Sequence, residues 1–274
     1  CILKACGSIG ATEKGQKLHA EIVKTGWLKK DILIGNALVD MYAKCGELEN
    51  ARKVFNELPM RNVICWTSLM SGYAQHGRAE EVVNCFHQMQ LEGLFPNQLT
   101  FVSILKAYSS LRTVQKGKQM HAGIVTEGLL KTDLVIGTTL MDMYTKCGAL
   151  GKARGLFNEL STRNTISWSV MIISYVQCEL YEEAISSFHH MKDEGVSPNA
   201  AIFTCVLKAC GHLGCVKMGE EIHDEVKNHA ILTMSLVDIS LGHKMYLIHF
   251  PHETIYLGMH LYVVIPNMTC MMKH

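Results

Sequence analysis

Apolar residues along this chain recur every three to four positions, break off at glycine or proline, and then resume. Between residues 63 and 97, Trp66, Leu69, Met70 and Tyr73 fall at i, i+3, i+4 and i+7, which places them on one face of a helix. His76-Gly77 interrupts that stripe. Val82, Phe86 and Met89 then form a second one, which closes at Gly93 with Pro96 barring continuation. The same two-stroke pattern occupies 32–62: Leu38, Met41 and Tyr42 end at Cys45-Gly46, and Leu48, Ala51, Val54 and Phe55 end before Pro59. Each segment therefore predicts a helical hairpin. No proline interrupts a predicted helix before residue 235, and the 3.6-residue rhythm leaves no place for strands.

The hairpins repeat. Met41-Tyr-Ala-Lys-Cys-Gly46 returns as Met143-Tyr-Thr-Lys-Cys-Gly148, 102 positions later. So do Arg61-Asn62 as Arg163-Asn164, Trp66 as Trp168, Phe86 as Phe188, and Pro96-Asn97 as Pro198-Asn199. Within that long period lie three hairpins of 31, 35 and 36 residues. The units are a partial long one at 1–31, then 32–62, 63–97, 98–133, 134–164, 165–199, and a further long unit at 200–234. Such units bury their stripes only against neighbours, so the expected fold is all-α, an α-solenoid wound as a right-handed superhelix of tandem helix-turn-helix repeats. Residues 235–274 leave the pattern and form a non-repeat tail. The chain begins at a cysteine inside a unit and is expected to be a fragment of a longer protein, with any targeting peptide upstream.

Bulk properties narrow the function by exclusion. A formal net charge of +1 gives no strong pull toward phosphates, which weighs mildly against nucleic acid as partner. Eleven cysteines form no Cys-x-x-Cys pair, and Cys45 and Cys147 sit at the repeat spacing, so they are expected as small buried apolar residues rather than disulfides or metal ligands. No apolar run has membrane-spanning length; 255–265 is the nearest, with His260 inside it. Neither a cofactor nor a metal is expected. His19, His121 and His223 recur with the repeat, as do His87 and His189, so they read as packing residues rather than as a unique catalytic site. A zinc deaminase needs His-x-Glu and Pro-Cys-x-x-Cys, and the chain has neither, so no enzymatic activity is expected.

The string Gly35-Asn-Ala-Leu-Val-Asp-Met-Tyr-Ala-Lys-Cys-Gly46, the segment Asn62-Val-Ile-Cys-Trp-Thr-Ser-Leu-Met-Ser-Gly-Tyr73 and the tandem hairpins resemble plant pentatricopeptide repeat proteins. The short, ordinary, long order resembles their PLS subclass. The resemblance covers 1 to about 234. It implies a mitochondrial or chloroplast solenoid that binds single-stranded RNA at about one base per repeat, with C-to-U editing as the leading context and a deaminase or other editing factors supplied in trans.

By the same resemblance, bases are read by the fifth and last residues of each repeat. The pairs here are Asn36 with Asn62, Thr67 with Asn97, Thr138 with Asn164, and Ser169 with Asn199. In the long unit they are Val102 with Asp133, where the apolar fifth residue implies a gap in reading. A carboxylate only accepts hydrogen bonds, whereas an amide also donates and can meet adenine or cytosine. A short hydroxyl leaves room for a purine and a longer Asn favours a pyrimidine. The four clear pairs then read pyrimidine, adenine and, after the gap, adenine and adenine.

Two alternatives stand beside this reading. Asn62, Asn97, Asn164 and Asn199 each stand just ahead of a helix, where the side chain can cap free backbone N–H groups, and one Asn can serve both purposes. Trp66 and Trp168 lie in the apolar stripe and are expected to pack between hairpins rather than stack on bases. At the level of the whole chain, the Ala51/Phe55, Ala153/Phe157 and Ala184/Phe188 spacing is shared with protein-binding tetratricopeptide-like solenoids. Unequal unit lengths and polar fifth and last positions favour RNA.

Overall fold

The computed structural model describes residues 2–227, apart from the side chains of Lys131 and Thr132. Residues 235–274, set apart above by their sequence, lie outside the described residues, as does the end of the unit expected at 200–234. Contacts divide the chain into Cys1–Ile222 and His223–His274, and the first of these carries the hairpins.

Its helices are α1 (Ile2–Ile9), α2 (Thr12–Thr25), α3 (Ile32–Lys44), α4 (Leu48–Glu57), α5 (Val63–Gln75), α6 (Ala79–Leu91) and α7 (Gln98–Ser110). They continue as α8 (Val114–Thr126), the one-turn α9 (Leu129–Thr132), α10 (Leu134–Lys146), α11 (Leu150–Glu159), α12 (Thr165–Gln177), α13 (Tyr181–Asp193) and α14 (Ala200–Leu213), and a further helix starts at 216. Among the described residues there is no strand, and no helix is long and apolar enough to cross a membrane. The fold is an all-α solenoid of hairpins.

The termini of the helices follow from local chemistry. Asp31, Asn62, Asn97, Asp133, Asn164 and Asn199 precede α3, α5, α7, α10, α12 and α14 in extended backbone, and each accepts a hydrogen bond from a first-turn N–H. Between the two helices of a hairpin the chain reverses through one left-handed residue, for example Gly46 (φ 80°) and Gly77 (φ 70°). Arg112 (φ 52°) and Glu179 (φ 59°) hold that conformation in two hairpins without being glycine. The extra length of the long units has a visible cause. A short 3₁₀ turn, Trp27–Lys29, precedes the Asp31 cap, and α9 precedes the Asp133 cap.

Packing is by neighbour. The first helices α1, α3, α5, α7, α10, α12 and α14 touch in series, and each second helix touches its own partner and the next first helix. The backbones of the second helices stand farther apart, and Arg52 of α4 reaches Gln88 of α6 across that gap at 3.1 Å. First helices therefore form one continuous layer. At Gly72 of α5 the layer is tight enough that an added Cβ would lie 2.5 Å from the Ala43 Cβ of α3. The layer buries Leu38, Met41 and Tyr42 of α3, Leu69 and Met70 of α5, and Leu140 and Met141 of α10.

Trp66 and Trp168 pack edge-on to Phe55 and Phe157, with ring centroids 4.4 and 4.6 Å apart, joining one hairpin to the next. Trp66 Nε1 donates to Glu92 at 2.8 Å, while Glu92 also pairs with Arg61 at 3.0 Å. In the second copy Arg163 reaches Glu194 but the buried Trp168 Nε1 has no partner. Sequence identity at the anchor residues hides that difference.

Candidate nucleic-acid interface

The fifth residue of each first helix sits one turn in, on the side facing the next first helix. Asn36, Thr67, Thr138 and Ser169 are all buried, although all are polar. Each hydroxyl disposes of its proton in the same way. Thr67 Oγ1 donates to the Val63 carbonyl at 2.6 Å, Thr138 Oγ1 to the Leu134 carbonyl at 2.9 Å, and Ser169 Oγ to the Thr165 carbonyl at 2.7 Å. With the proton turned onto the helix backbone, each oxygen presents lone pairs toward a ligand. Asn36 differs: both its Oδ1 and its Nδ2 are buried without a partner.

The last residues are caps in fact. Asn62 Oδ1 accepts from the Cys65 N–H at 3.0 Å, Asn97 Oδ1 from Thr100 at 2.9 Å, Asn164 Oδ1 from Ser167 at 3.0 Å and Asn199 Oδ1 from Ile202 at 3.0 Å. Asp133 accepts from Val135 at 2.9 Å and Ile136 at 3.1 Å. Because a backbone N–H demands an acceptor, the amide oxygen is identified and the Nδ2 group is left as the free end. Capping thus occupies the oxygen of each Asn, and of the four only Asn199 spends Nδ2 on a side chain among the described residues.

Two of the expected pairs meet directly. Thr67 Oγ1 lies 3.5 Å from Asn97 Oδ1, and Asn199 Nδ2 donates to Ser169 Oγ at 3.1 Å. No hydrogen bond joins Asn36 to Asn62 or Thr138 to Asn164 among the described residues. Val102 is half-buried and offers no polar atom at its position.

A further residue of each unit was not singled out from the sequence. The second residue of each first helix is a bare aliphatic in solvent: Leu33, Ile64, Leu99, Val135 and Ile166 are 51–67% exposed. Leu33, Ile64, Val135 and Ile166 lie three positions before the buried polar fifth residues, hence on the same helical face, and Leu99 stands likewise before Val102. Its signal was present, because these aliphatics recur at fixed spacing out of phase with the buried stripe. Exposed single hydrophobics need no explanation, but five in register form a feature of the repeat.

Nucleophilic chemistry finds no support in the thiols. The described cysteines are free, and burial raises the thiol of Cys65 and that of Cys85, the latter to about 11, while Cys147, Cys205 and Cys210 shift the same way.

Models of the PPR repeat match 36–63, 138–164 and 201–231, and those of the PPR repeat family match 61–110 and 163–212, together more than half of the chain. A mitochondrial pentatricopeptide repeat-containing protein of Arabidopsis thaliana is 40% identical over 219 residues, covering 80% of this chain and 39% of the relative. A chloroplastic one from the same plant is 34% identical over 231 residues, covering 84% of this chain and 37% of the relative. The chain thus spans under two fifths of the length of these relatives. The crystal structure of the pentatricopeptide repeat protein PPR10 in complex with an 18-nt psaJ RNA element superposes with a TM-score of 0.65 at 17% identity, covering 80% of this chain and 33% of PPR10. The chain belongs to the pentatricopeptide repeat family.

Proposed function

We propose that this chain is a single-stranded RNA-binding platform of an organellar pentatricopeptide repeat protein, reading about one base per hairpin. The observation that carries the proposal is the trio at the start of the first helices, an exposed aliphatic residue, a buried hydroxyl oxygen and a capping amide, with the amide donors unspent at Thr67/Asn97 and Thr138/Asn164 among the described residues. An aliphatic side chain offers a base an apolar surface, and the acceptor and donor together complement a Watson–Crick edge. For adenine, the exocyclic N–H₂ meets the Thr67 hydroxyl oxygen and ring N1 meets Asn97 Nδ2, which agrees with the base expected for that pair. The long unit, with Val102 in the acceptor position, spaces the readers rather than reading.

The alternation of unit lengths supports a place in the PLS subclass. That subclass in turn favours recognition of C-to-U editing sites, with the deaminase provided by another protein, over other RNA processing. Relatives named mitochondrial and chloroplastic support an organellar location.

The experiment is Asn97→Asp. Aspartate caps a helix as well as asparagine, so stability should hold. The free donors, however, become acceptors. Preference at the base facing Thr67 should move from adenine toward guanine by about 1–3 kcal/mol, the scale of good base contacts. Binding is compared at one salt concentration, with single-stranded RNAs that differ only at that base and with duplex RNA as control. An unchanged adenine-to-guanine ratio would leave Asn97 as a cap alone, and equal affinity for duplex would remove the single-strand reading.

A further inference from the structure

The pairs Thr67/Asn97 and Ser169/Asn199 stand 102 residues apart and carry the same chemistry, a hydroxyl and an amide, so both are expected to read adenine alike. Their wiring differs, and the difference lies outside the pair. Thr100, the third residue of α7, is fully buried, and its Oγ1 sits 2.9 Å from Asn97 Oδ1 and 2.9 Å from Thr67 Oγ1. The Asn97 N–H reaches the same oxygen at 3.3 Å. The Thr100 hydroxyl has one proton to give and donates it to Asn97 Oδ1, while its oxygen lies against Thr67 Oγ1. Asn97 Oδ1 is then held by both the N–H and the hydroxyl of Thr100, which fixes the amide plane and leaves both Nδ2 hydrogens unspent among the described residues.

The equivalent of Thr100 in the second copy is Ile202, equally buried and with no hydroxyl. There Asn199 Oδ1 accepts only from the Ile202 N–H, and Nδ2 turns onto Ser169 Oγ at 3.1 Å. The donor of that pair is spent on the acceptor of the same pair. A base entering this site competes with a bond already made, whereas a base entering the first site meets a donor held open.

We propose that Thr100 is a positioning residue for base recognition by Thr67 and Asn97, and that the Ser169/Asn199 pair, lacking such a residue, discriminates its base less sharply. This rests on the RNA-reading function proposed above. Among the described residues no other unit has the arrangement. Cys65 and Ser167 hold the third position in two units, but their Sγ and Oγ reach the backbone of Asn62 and Asn164 rather than the reading amide. Ile136 follows Asp133 and has no polar side chain.

The test uses the full chain and a randomised single-stranded RNA library, from which base preference is obtained at every position. Thr100→Val removes the hydroxyl at constant shape and should lower the adenine preference at the Thr67 base about 3- to 10-fold, the value of one hydrogen bond. Thr100→Ser should restore it. Ile202→Thr should sharpen the preference at the Ser169 base, with all other positions unchanged. Asn97→Ala is run in parallel. If Asn97→Ala flattens the preference and Thr100→Val leaves it within twofold of wild type, the positioning role is overturned while RNA reading stands. If Asn97→Ala changes nothing, the reading function fails and the proposal goes with it. Loss of affinity spread evenly over all bases in Thr100→Val, or a Thr100→Ser variant that behaves like Thr100→Val, also overturns it.

Discussion

Among the proposed reading residues, Asn36 has the largest unmet demand. Its amide is buried with neither oxygen nor nitrogen paired, a situation that costs about 1–3 kcal/mol relative to a satisfied or apolar side chain. The other fifth residues avoid this cost, because a hydroxyl can return its proton to the carbonyl four residues back. Asn36→Leu, similar in volume, should therefore stabilise the RNA-free chain by about 1–3 kcal/mol, seen as a higher urea midpoint at unchanged m-value. The same substitution should weaken RNA binding, with the loss confined to one base. A lower midpoint would show that the amide is satisfied in solution and that the tension between stability and binding is absent.

At the scale of the element, the hairpin turn demands a left-handed residue. Gly77 supplies it without strain, whereas Glu179 holds φ 59° with a side chain in place. That conformation costs a non-glycine residue about 1–2 kcal/mol, partly offset by the greater freedom glycine has when unfolded. Glu179→Gly should raise stability by about 0.5–1 kcal/mol, measured as a shift in thermal midpoint. A decrease would mean that the exposed Glu179 side chain contributes contacts outweighing the strain.

A second element-level device ties each long hairpin to the next first helix. His19 Nδ1 meets the Tyr42 hydroxyl at 3.0 Å, and His121 Nδ1 meets that of Tyr144 at 3.0 Å. Burial lowers both histidine pKa values below 6.5, and the nearby Glu57 and Glu159 oppose the shift only partly; Lys152 adds to it at His121. The folded state thus prefers neutral imidazole, while the unfolded chain takes up the proton at the ordinary value. This stability is fully present above about pH 6.5 and is lost as pH falls through the lowered folded values. A His19→Gln/His121→Gln double variant should show a flatter melting temperature between about pH 7 and 5 than wild type. Parallel pH profiles for the two proteins would exclude the histidines as the cause.

For the molecule as a whole, stability is a sum over neighbours, since each hairpin touches only the adjoining ones. Residues Cys1–Ile222 form one compact unit. Deleting residues 235–274 should leave the helical array folded, with circular dichroism still wholly helical and the melting temperature changed by no more than a few degrees. A collapse of the transition on deletion would mean that the last hairpin depends on the tail for its cap.

The hairpins themselves were legible in the one-dimensional pattern, because a stripe at 3.6-residue spacing and a break at glycine or proline are local facts. Trp66, Phe55, Leu38 and Met41 could be assigned to the core for the same reason, and Asn62, Asn97, Asn164 and Asn199 could be recognised as caps. The exposed row from Leu33 to Ile166 was equally periodic, but its meaning depends on knowing which face the next hairpin covers. Hydrogen-bond allocation could not be read at all. Whether Asn97 offers a donor, whether Asn199 has spent its own, and whether the Trp168 indole finds a carboxylate are settled by side chains about 30 residues apart in sequence meeting across the boundary between units. Identical residues at identical repeat positions therefore carry different free groups. Sequence alone determined the helices and the order in which they stack, because those follow from local periodicity. The tertiary structure decided which polar atoms remain available to a ligand, because that depends on the one neighbour each side chain reaches first.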